Sequence, residues 1–440
     1  MNEIIYPNAL SRSTAHFANP KGRDLFDRLQ SYSDWQDARR VSGYWPYARV
    51  LGSSPLPEAR IGPMNREANW GINLAVQDYL ALSTHPSVRQ AAMDAAREFG
   101  VHSAGSAILL GNNPLSLALE QAVGELVGME HVLLFPTGWG AGFGVVNALV
   151  RERDHIVLDA LAHACLQSGT MASTRNIHRY RHLDTAHAAE ILAAIRATDT
   201  ENAILVIAEG LYSMDSDSPD IPALQALCRV YDARLVVDVA HDLGAIGPGG
   251  TGQLGAQDML GKVDIVMGAF SKTFAANGGF VAVNDRRVKS FLSVFASPHT
   301  FSNALSPIQC GVITECIRIV RDVEGEQLRA RLHTAATEFR ADLSAAGLTV
   351  LGAPSAIVPV LIGRDRLARV ASRNLAARGT FTNLVEFPAV GVGSARFRCQ
   401  LMATHAQHQL KRAANDIVAA IREAESDAQA EGGDTRAAAD

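Results

Sequence analysis

GAFSKTFAANGGF, residues 268–280, follows the apolar run VDIVMG and puts Lys272 just past the carboxyl end of a strand. Small residues and glycines surround that lysine. In an open α/β sheet, ligands bind outside the carboxyl ends of the strands. A lysine in such a loop can form a Schiff base with an aldehyde. The segment alone fits an ordinary surface lysine equally well.

Working outward, short β-branched runs alternate with Ala-rich helical stretches. The runs are VLLF at 132, HIVLD at 155, AILVIAE at 203, RLVVDV at 234, VDIVMG at 263 and GFVAV at 279. Helical stretches between several of them predict βαβ units, an α/β fold and a mostly parallel sheet. Residues 1–74, with YWPYARVLGSSPLPEARIGP, are expected to form an N-terminal arm rather than a core. Residues 75–305 then form the large sheet domain. Residues 306–425 form a smaller α+β domain: a long helix or helix pair over 308–346, the strand candidates TVLG, AIVPVLIG and SARFRCQLMA, and a helix from 406 to about 425. The small, polar stretch 426–440 is expected to be disordered.

Composition narrows the classes. The 440 residues are 48% hydrophobic and 19% charged, which supports a buried core and excludes overall disorder. Lys plus Arg number 40 against 45 Asp plus Glu, net −5, which argues against nucleic acid as a partner. The five scattered cysteines, with no CxxC pair, argue against a disulfide framework or a zinc site and suit a reducing, cytoplasmic setting. The amino terminus lacks the basic-then-apolar pattern of a secretory signal. Residues 132–150 carry no charge and are long enough to raise a membrane span, but Pro136 and glycines at 138, 140, 142 and 144 suit a strand, a turn and a helix start.

Three further elements bear on Lys272. In VVDVAHD (236–242), Asp238 ends a run and His241 follows. A carboxylate there can hold a pyridine nitrogen protonated; helix capping is the plainer alternative. In FPTGWGAGFG (135–144), glycines between strand and helix let backbone N–H groups approach a phosphate. The spacing matches neither GxGxxG nor a Walker A loop. In LDALAHACLQSG (158–169), His163 follows Asp159 and could lie on an aromatic ring or merely satisfy a local carbonyl.

Taken in order, these elements resemble the fold-type I pyridoxal phosphate enzymes, and more narrowly the α-oxoamine synthases. That family includes serine palmitoyltransferase, 8-amino-7-oxononanoate synthase, glycine C-acetyltransferase and 5-aminolevulinate synthase. The likeness extends over residues 45–422. QDYLALSTHP at 77 is similar to the family's NDYLGL segment, and VDVAHDLGAIGPGGTG at 237 to its DEAHS stretch. EGLYSMDSDSPDIPAL at 209, HTFSNALSP at 299 and RCQLMATH at 398 also resemble family motifs.

The resemblance implies an aspartate aminotransferase-like fold with pyridoxal 5'-phosphate as cofactor. Lys272 would hold the cofactor and move protons, Asp238 would pair with the ring nitrogen, His241 with the ring hydroxyl, and His163 would stack on the ring. Gly138, Trp139 and Ser271 would lie near the phosphate and Ser213 beside the cofactor. Ser302 and Asn303 would reach the other subunit's phosphate, making a homodimer. Arg398 would bind the amino-acid carboxylate. The implied reaction is a decarboxylative Claisen condensation of a small amino acid with an acyl thioester, serine palmitoyltransferase-like.

Departures from the family pattern are concentrated near the implied phosphate and acyl-donor sites. Ala269 stands where Thr or Ser is usual, SAGSAILLGN lacks the arginine of GSR, Ser116 replaces the histidine of HxxLE, and Gln77 replaces Asn. The second and third, together with Gly138–Trp139 after the strand, also resemble the α-hydroxyketone autoinducer synthases. An aminotransferase on the same fold and a non-catalytic partner subunit are the remaining alternatives.

Overall fold

Apolar, β-branched runs bounded by turn residues build thirteen strands among the described residues of the computed structural model, which describes residues 9–63 and 68–437, the side chains from 430 on excepted. Parts of the expected N-terminal arm (1–8, 64–67) and of the expected tail (438–440) lie outside the described residues. In chain order the strands are β1 (Val50–Leu51), β2 (Glu58–Gly62), β3 (Asn69–Leu74), β4 (His131–Phe135), β5 (His155–Asp159), β6 (Ile177–Tyr180) and β7 (Ile204–Glu209). They continue with β8 (Arg234–Asp238), β9 (Ile265–Ala269), β10 (Gly279–Val283), β11 (Ile357–Gly363), β12 (Thr380–Val385) and β13 (Ala395–Gln400).

Two compact units result. The larger spans Gln77–Ser213 and Asp217–Arg331. Its seven-stranded sheet runs β4-β10-β9-β8-β7-β5-β6. Strands β9, β8, β7, β5 and β6 are mutually parallel, while β10 is antiparallel to both β4 and β9. Strands β7, β9 and β10 are buried throughout, as expected where both faces of a sheet are covered. Strand β6 did not stand out in the sequence because its IHRY pattern is only partly apolar, which suits its place at the sheet edge.

The charge-free stretch 132–150 is β4 followed by the helix Gly138–Leu149, N-capped by Thr137, whose Oγ1 accepts the Gly140 N–H at 2.9 Å. Among the described residues no helix is long and apolar enough to cross a membrane. The helix Pro307–Arg321, expected in the smaller domain, packs on the helix Pro86–Phe99 instead. Gly311 makes the close crossing possible, since a Cβ there would press on Ala95 and the Ala91 carbonyl. The boundary between the units therefore falls near Leu332 rather than near 305.

The second unit joins the described residues up to Val76, the short piece Met214–Ser216, and those from Leu332 on. Its sheet runs β1-β2-β3-β12-β13-β11. The N-terminal stretch is thus more than an arm. Strand β3 pairs in parallel with β12, with Ile72 and Leu74 fully buried. Of the expected C-terminal strands, TVLG makes only an isolated bridge, Val350 to Val360. The last helix, Gln407–Ala437, runs through most of the stretch expected to be disordered. It is anchored by buried Ile417, Ala420 and Ile421, and each added residue then costs little to propagate.

Candidate active site

The parallel strands of the larger unit end on one edge, and there the chain leaves a cavity of about 250 Å³. This is just below the usual range of ligand pockets, roughly 300–1,000 Å³, and suits one substituted ring. Its lining includes Gly138, Trp139, His163, Asp238, His241, Ser271 and Lys272. Each comes from the carboxyl end of a strand or the turn that follows it.

Asp238 ends β8, is buried, and accepts the Ala240 N–H at 2.9 Å. Burial pushes its carboxyl up, while the charges of His163 and Lys272 pull it back. His241 is buried, and its Nδ1 lies 2.9 Å from the Tyr79 hydroxyl. His163 caps the helix Ala164–Ser173; its Nδ1 faces the Cys165 thiol at 3.0 Å, and its N–H donates to Glu209 Oε1 at 2.6 Å. Lys272 is partly buried, and its charge also acts on Glu209.

The glycine turn works by close approach. A Cβ on Gly138 would overlap that of Ala269 at the end of β9, so only glycine lets the first helical turn sit against that strand. The first N–H groups of a helix have no partner inside it. Here Gly138 and Trp139, the first residues of a twelve-residue helix, line the cavity at the positive end of that helix. Ala269 lines the same wall with a methyl group and offers no hydroxyl.

Two partners were missed in the sequence. Glu209 ends β7, beside Asp238 in register, and is buried in the cavity wall. Burial and then Asp238 drive its carboxyl well above the usual range. The signal was present: an acid ends AILVIAE just as Asp238 ends its own apolar run. Tyr79 comes from QDYL, where Asp78 fixes the turn by accepting the Leu82 and Ser83 N–H groups at 2.9 and 3.1 Å.

Four expected residues lie outside the cavity lining. Ser213 is buried in the loop after β7. Ser302 is half-buried and Asn303 exposed, Asn303 Nδ2 being 3.0 Å from His102 Nε2. Arg398 belongs to the other unit, on β13, opposite Pro359 and Asn383. Its Nη1 lies 3.8 Å from the Met214 sulfur. There it lines a cavity of about 860 Å³ together with Arg49, Phe381 and Leu384.

The donor set suits a planar anionic ring compound: helix N–H groups for an anion, a carboxylate for a ring nitrogen, and an amine for a carbonyl. Comparison with known proteins agrees. The family model for aminotransferase class I and II matches residues 70–417. An 8-amino-7-oxononanoate synthase of Geobacter sulfurreducens is 34% identical over 378 residues, covering 86% of this chain and 94% of that protein. A serine palmitoyltransferase of Sphingomonas wittichii is 28% identical with TM-score 0.85, covering 92% and 99% of the two chains. A further structure, of SPT with PLP, also has TM-score 0.85 and 28% identity, covering 92% of this chain and 100% of that one.

Proposed function

The chain belongs to the aminotransferase class I and II family, among its α-oxoamine synthases, and from that premise we propose that it condenses a small amino acid with an acyl thioester, releasing carbon dioxide, a free thiol and an α-amino ketone. The observation that carries this reading is the gathering of Lys272, Asp238, His241 and His163 around one small cavity at the strand ends. Pyridoxal 5'-phosphate, the cofactor of the family, supplies an electron sink conjugated to the substrate Cα.

The residues present fit that cofactor. Lys272 would hold it covalently through Nζ; once displaced by the amino acid, Nζ is the base that takes the Cα proton. The Asp238 carboxylate would pair with the ring nitrogen. His241, steadied by Tyr79, would face the ring hydroxyl, and His163 would cover the ring face. The Gly138 and Trp139 N–H groups and the Ser271 hydroxyl would receive the phosphate, with Ala269 contributing none of the usual hydrogen bonding. Arg398 would take the amino-acid carboxylate, and a bidentate guanidinium suits that task.

The acyl donor is read as serine palmitoyltransferase-like, supported by structural likeness over 92% of the chain. The 34% identity to an 8-amino-7-oxononanoate synthase favours a second reading, with a different donor. The test is thiol release with product mass, from protein loaded with pyridoxal phosphate. The panel sets glycine, alanine and serine against short, dicarboxylic and long acyl-coenzyme A and acyl carrier protein. Release with one pair identifies both substrates. An amino-acid-induced change in cofactor absorbance, with turnover restored by a keto acid and no thiol, would replace the reading by an aminotransferase.

A cytoplasmic homodimer is part of the proposal. The Asn303 segment is tied to residues 102–105 by Ala304 N–H to Gly105 O at 2.8 Å and Ser103 Oγ to Ala304 O at 2.8 Å. Leu109, Leu110 and Phe301 on these two segments are 81%, 89% and 85% exposed. Apolar side chains so exposed on adjoining segments mark an interaction surface. Sedimentation is expected to give twice the chain mass, and Leu110→Asp with Phe301→Asp a monomer that holds pyridoxal phosphate at least about 10-fold more weakly.

A further inference from the structure

His182 follows β6 by two residues and has no role in the chemistry above. Its imidazole is held at both nitrogens. Nδ1 lies 2.9 Å from Asp159 Oδ1, and Nε2 lies 3.1 Å from Asp217 Oδ2. The ring meets that of Tyr212 at right angles, with centroids 4.6 Å apart. Asp159 faces it from β5, and Asp217 and Tyr212 from the loop after β7. On its own segment, Arg181 and Asp184 pair with each other.

Each partner ties down backbone next to a residue of the cavity lining, His163 on one side and Glu209 on the other. Asp159 is fully buried, and it also accepts the Leu161 N–H at 2.8 Å and the Leu183 N–H at 3.0 Å. Leu161 is two residues ahead of His163. Asp217 closes the loop after β7 through the Tyr212 N–H, which donates to its carbonyl at 2.9 Å. The Tyr212 hydroxyl in turn accepts the Glu209 N–H at 3.2 Å, and Ser213 is the next residue.

An ionised carboxylate only accepts, so both ring nitrogens must donate, and only the imidazolium does that. Burial acts to lower the pKa of His182, but the bonds to Asp159 and Asp217 outweigh it and raise it to about 10. The contribution of this bridge is therefore whole below about pH 6.5. It fades as pH rises and is gone once the folded-state value of about 10 is passed.

We propose that His182 is a positioning residue: bridging Asp159 and Asp217, it fixes the loop that presents His163 against the loop that carries Tyr212 and Ser213. This rests on reading the cavity as the pyridoxal phosphate site. A displaced wall would misplace the amino acid, and an error of ~1 Å can cost about 10²-fold in rate.

The test compares wild type, His182→Gln and Asp217→Asn. In cofactor-free protein, nitrogen NMR should show His182 as imidazolium up to about pH 10; a neutral ring at pH 7.5 overturns the proposal. In loaded protein, the amino-acid concentration that half-saturates the change in cofactor absorbance should rise about 10-fold in His182→Gln, and kcat for thiol release should fall about 10-fold. The donor KM should stay within about twofold, since the expected loss is in placement of the amino acid. The alkaline limb of the wild-type amino-acid response should shift to lower pH in Asp217→Asn, since the charge of one of the two carboxylates that raise His182 is lost.

Variants that lose stability or cofactor while half-saturation, kcat per folded molecule and the alkaline limb stay put would make the role structural and overturn it. If His182→Gln does not fold, Asp217→Asn, whose side chain is only partly buried, decides by the same readouts. Wild type that releases no thiol, while the variants still move the amino-acid titration, would overturn the proposed synthase activity and leave the positioning role standing.

Discussion

Lys272→Ala is expected to reduce thiol release by at least about 10³-fold, since one group both holds the cofactor and moves the Cα proton. The physical reason is local. Lys272 is the lysine among the cavity residues, and both buried acids there, Asp238 and Glu209, feel its charge. The variant should also lose the absorbance of a lysine-bound pyridoxal phosphate. Fold should be retained, because Lys272 is in a turn and only partly buried. Substantial turnover by Lys272→Ala, or lysine-bound absorbance unchanged in it, would remove Lys272 from the mechanism. A primary amine such as methylamine added to the variant should restore part of the proton transfer, which would separate loss of the base from collapse of the site.

Glu386→Ala should give the largest loss of stability. Glu386 follows β12 and is buried between two arginines. Arg39 Nη1 donates to Oε1 at 3.1 Å and Arg369 Nε to Oε2 at 2.6 Å, and the Tyr47 hydroxyl adds a third bond at 3.1 Å. Burial already pulls the Arg39 pKa down, and Glu386 pushes it back up. Removing the carboxylate would leave two buried guanidiniums without their hydrogen-bonded counter-charge, only Asp365 still acting on them, at a cost of about 3–5 kcal/mol. Trp35 and Trp45, which stack against Arg39 at 4.9 and 5.6 Å, offer only about 1–2 kcal/mol in return. The urea midpoint should fall clearly, with Glu386→Gln between wild type and alanine. An unchanged midpoint in Glu386→Ala would mean that water reaches the pair and screens it.

The two expectations differ in how far they could be foreseen. Lys272, Asp238 and His163 were legible because each ends or follows an apolar run, and parallel strands deliver their carboxyl ends to one edge. Glu386 was not. Its partner Arg39 is 347 positions away, and no local pattern announces a pairing of that range. Tyr79 was legible as part of QDYL but not as the neighbour of His241, 162 positions on. The N-terminal stretch looked like an arm because β1, β2 and β3 are short and mixed in polarity. They become a sheet through pairing with β12, in which Thr380 stands opposite Ile72.

By itself the sequence determined the order of strands and helices in the larger unit, the turn glycines of 138–144, and the reactive groups placed at strand ends. These follow from local periodicity and from the steric freedom of glycine, which neighbours in the chain are enough to specify. Only the tertiary structure decided that Glu209 joins Asp238 in the cavity wall, that Arg398 lies with Met214 in the other unit, and that His182 bridges two loops. Those outcomes depend on which residues, distant along the chain, the fold brings within reach of one another. A carboxylate or guanidinium taken out of water must be paired wherever the fold brings a partner within reach, and that distance is set by packing rather than by spacing in the sequence.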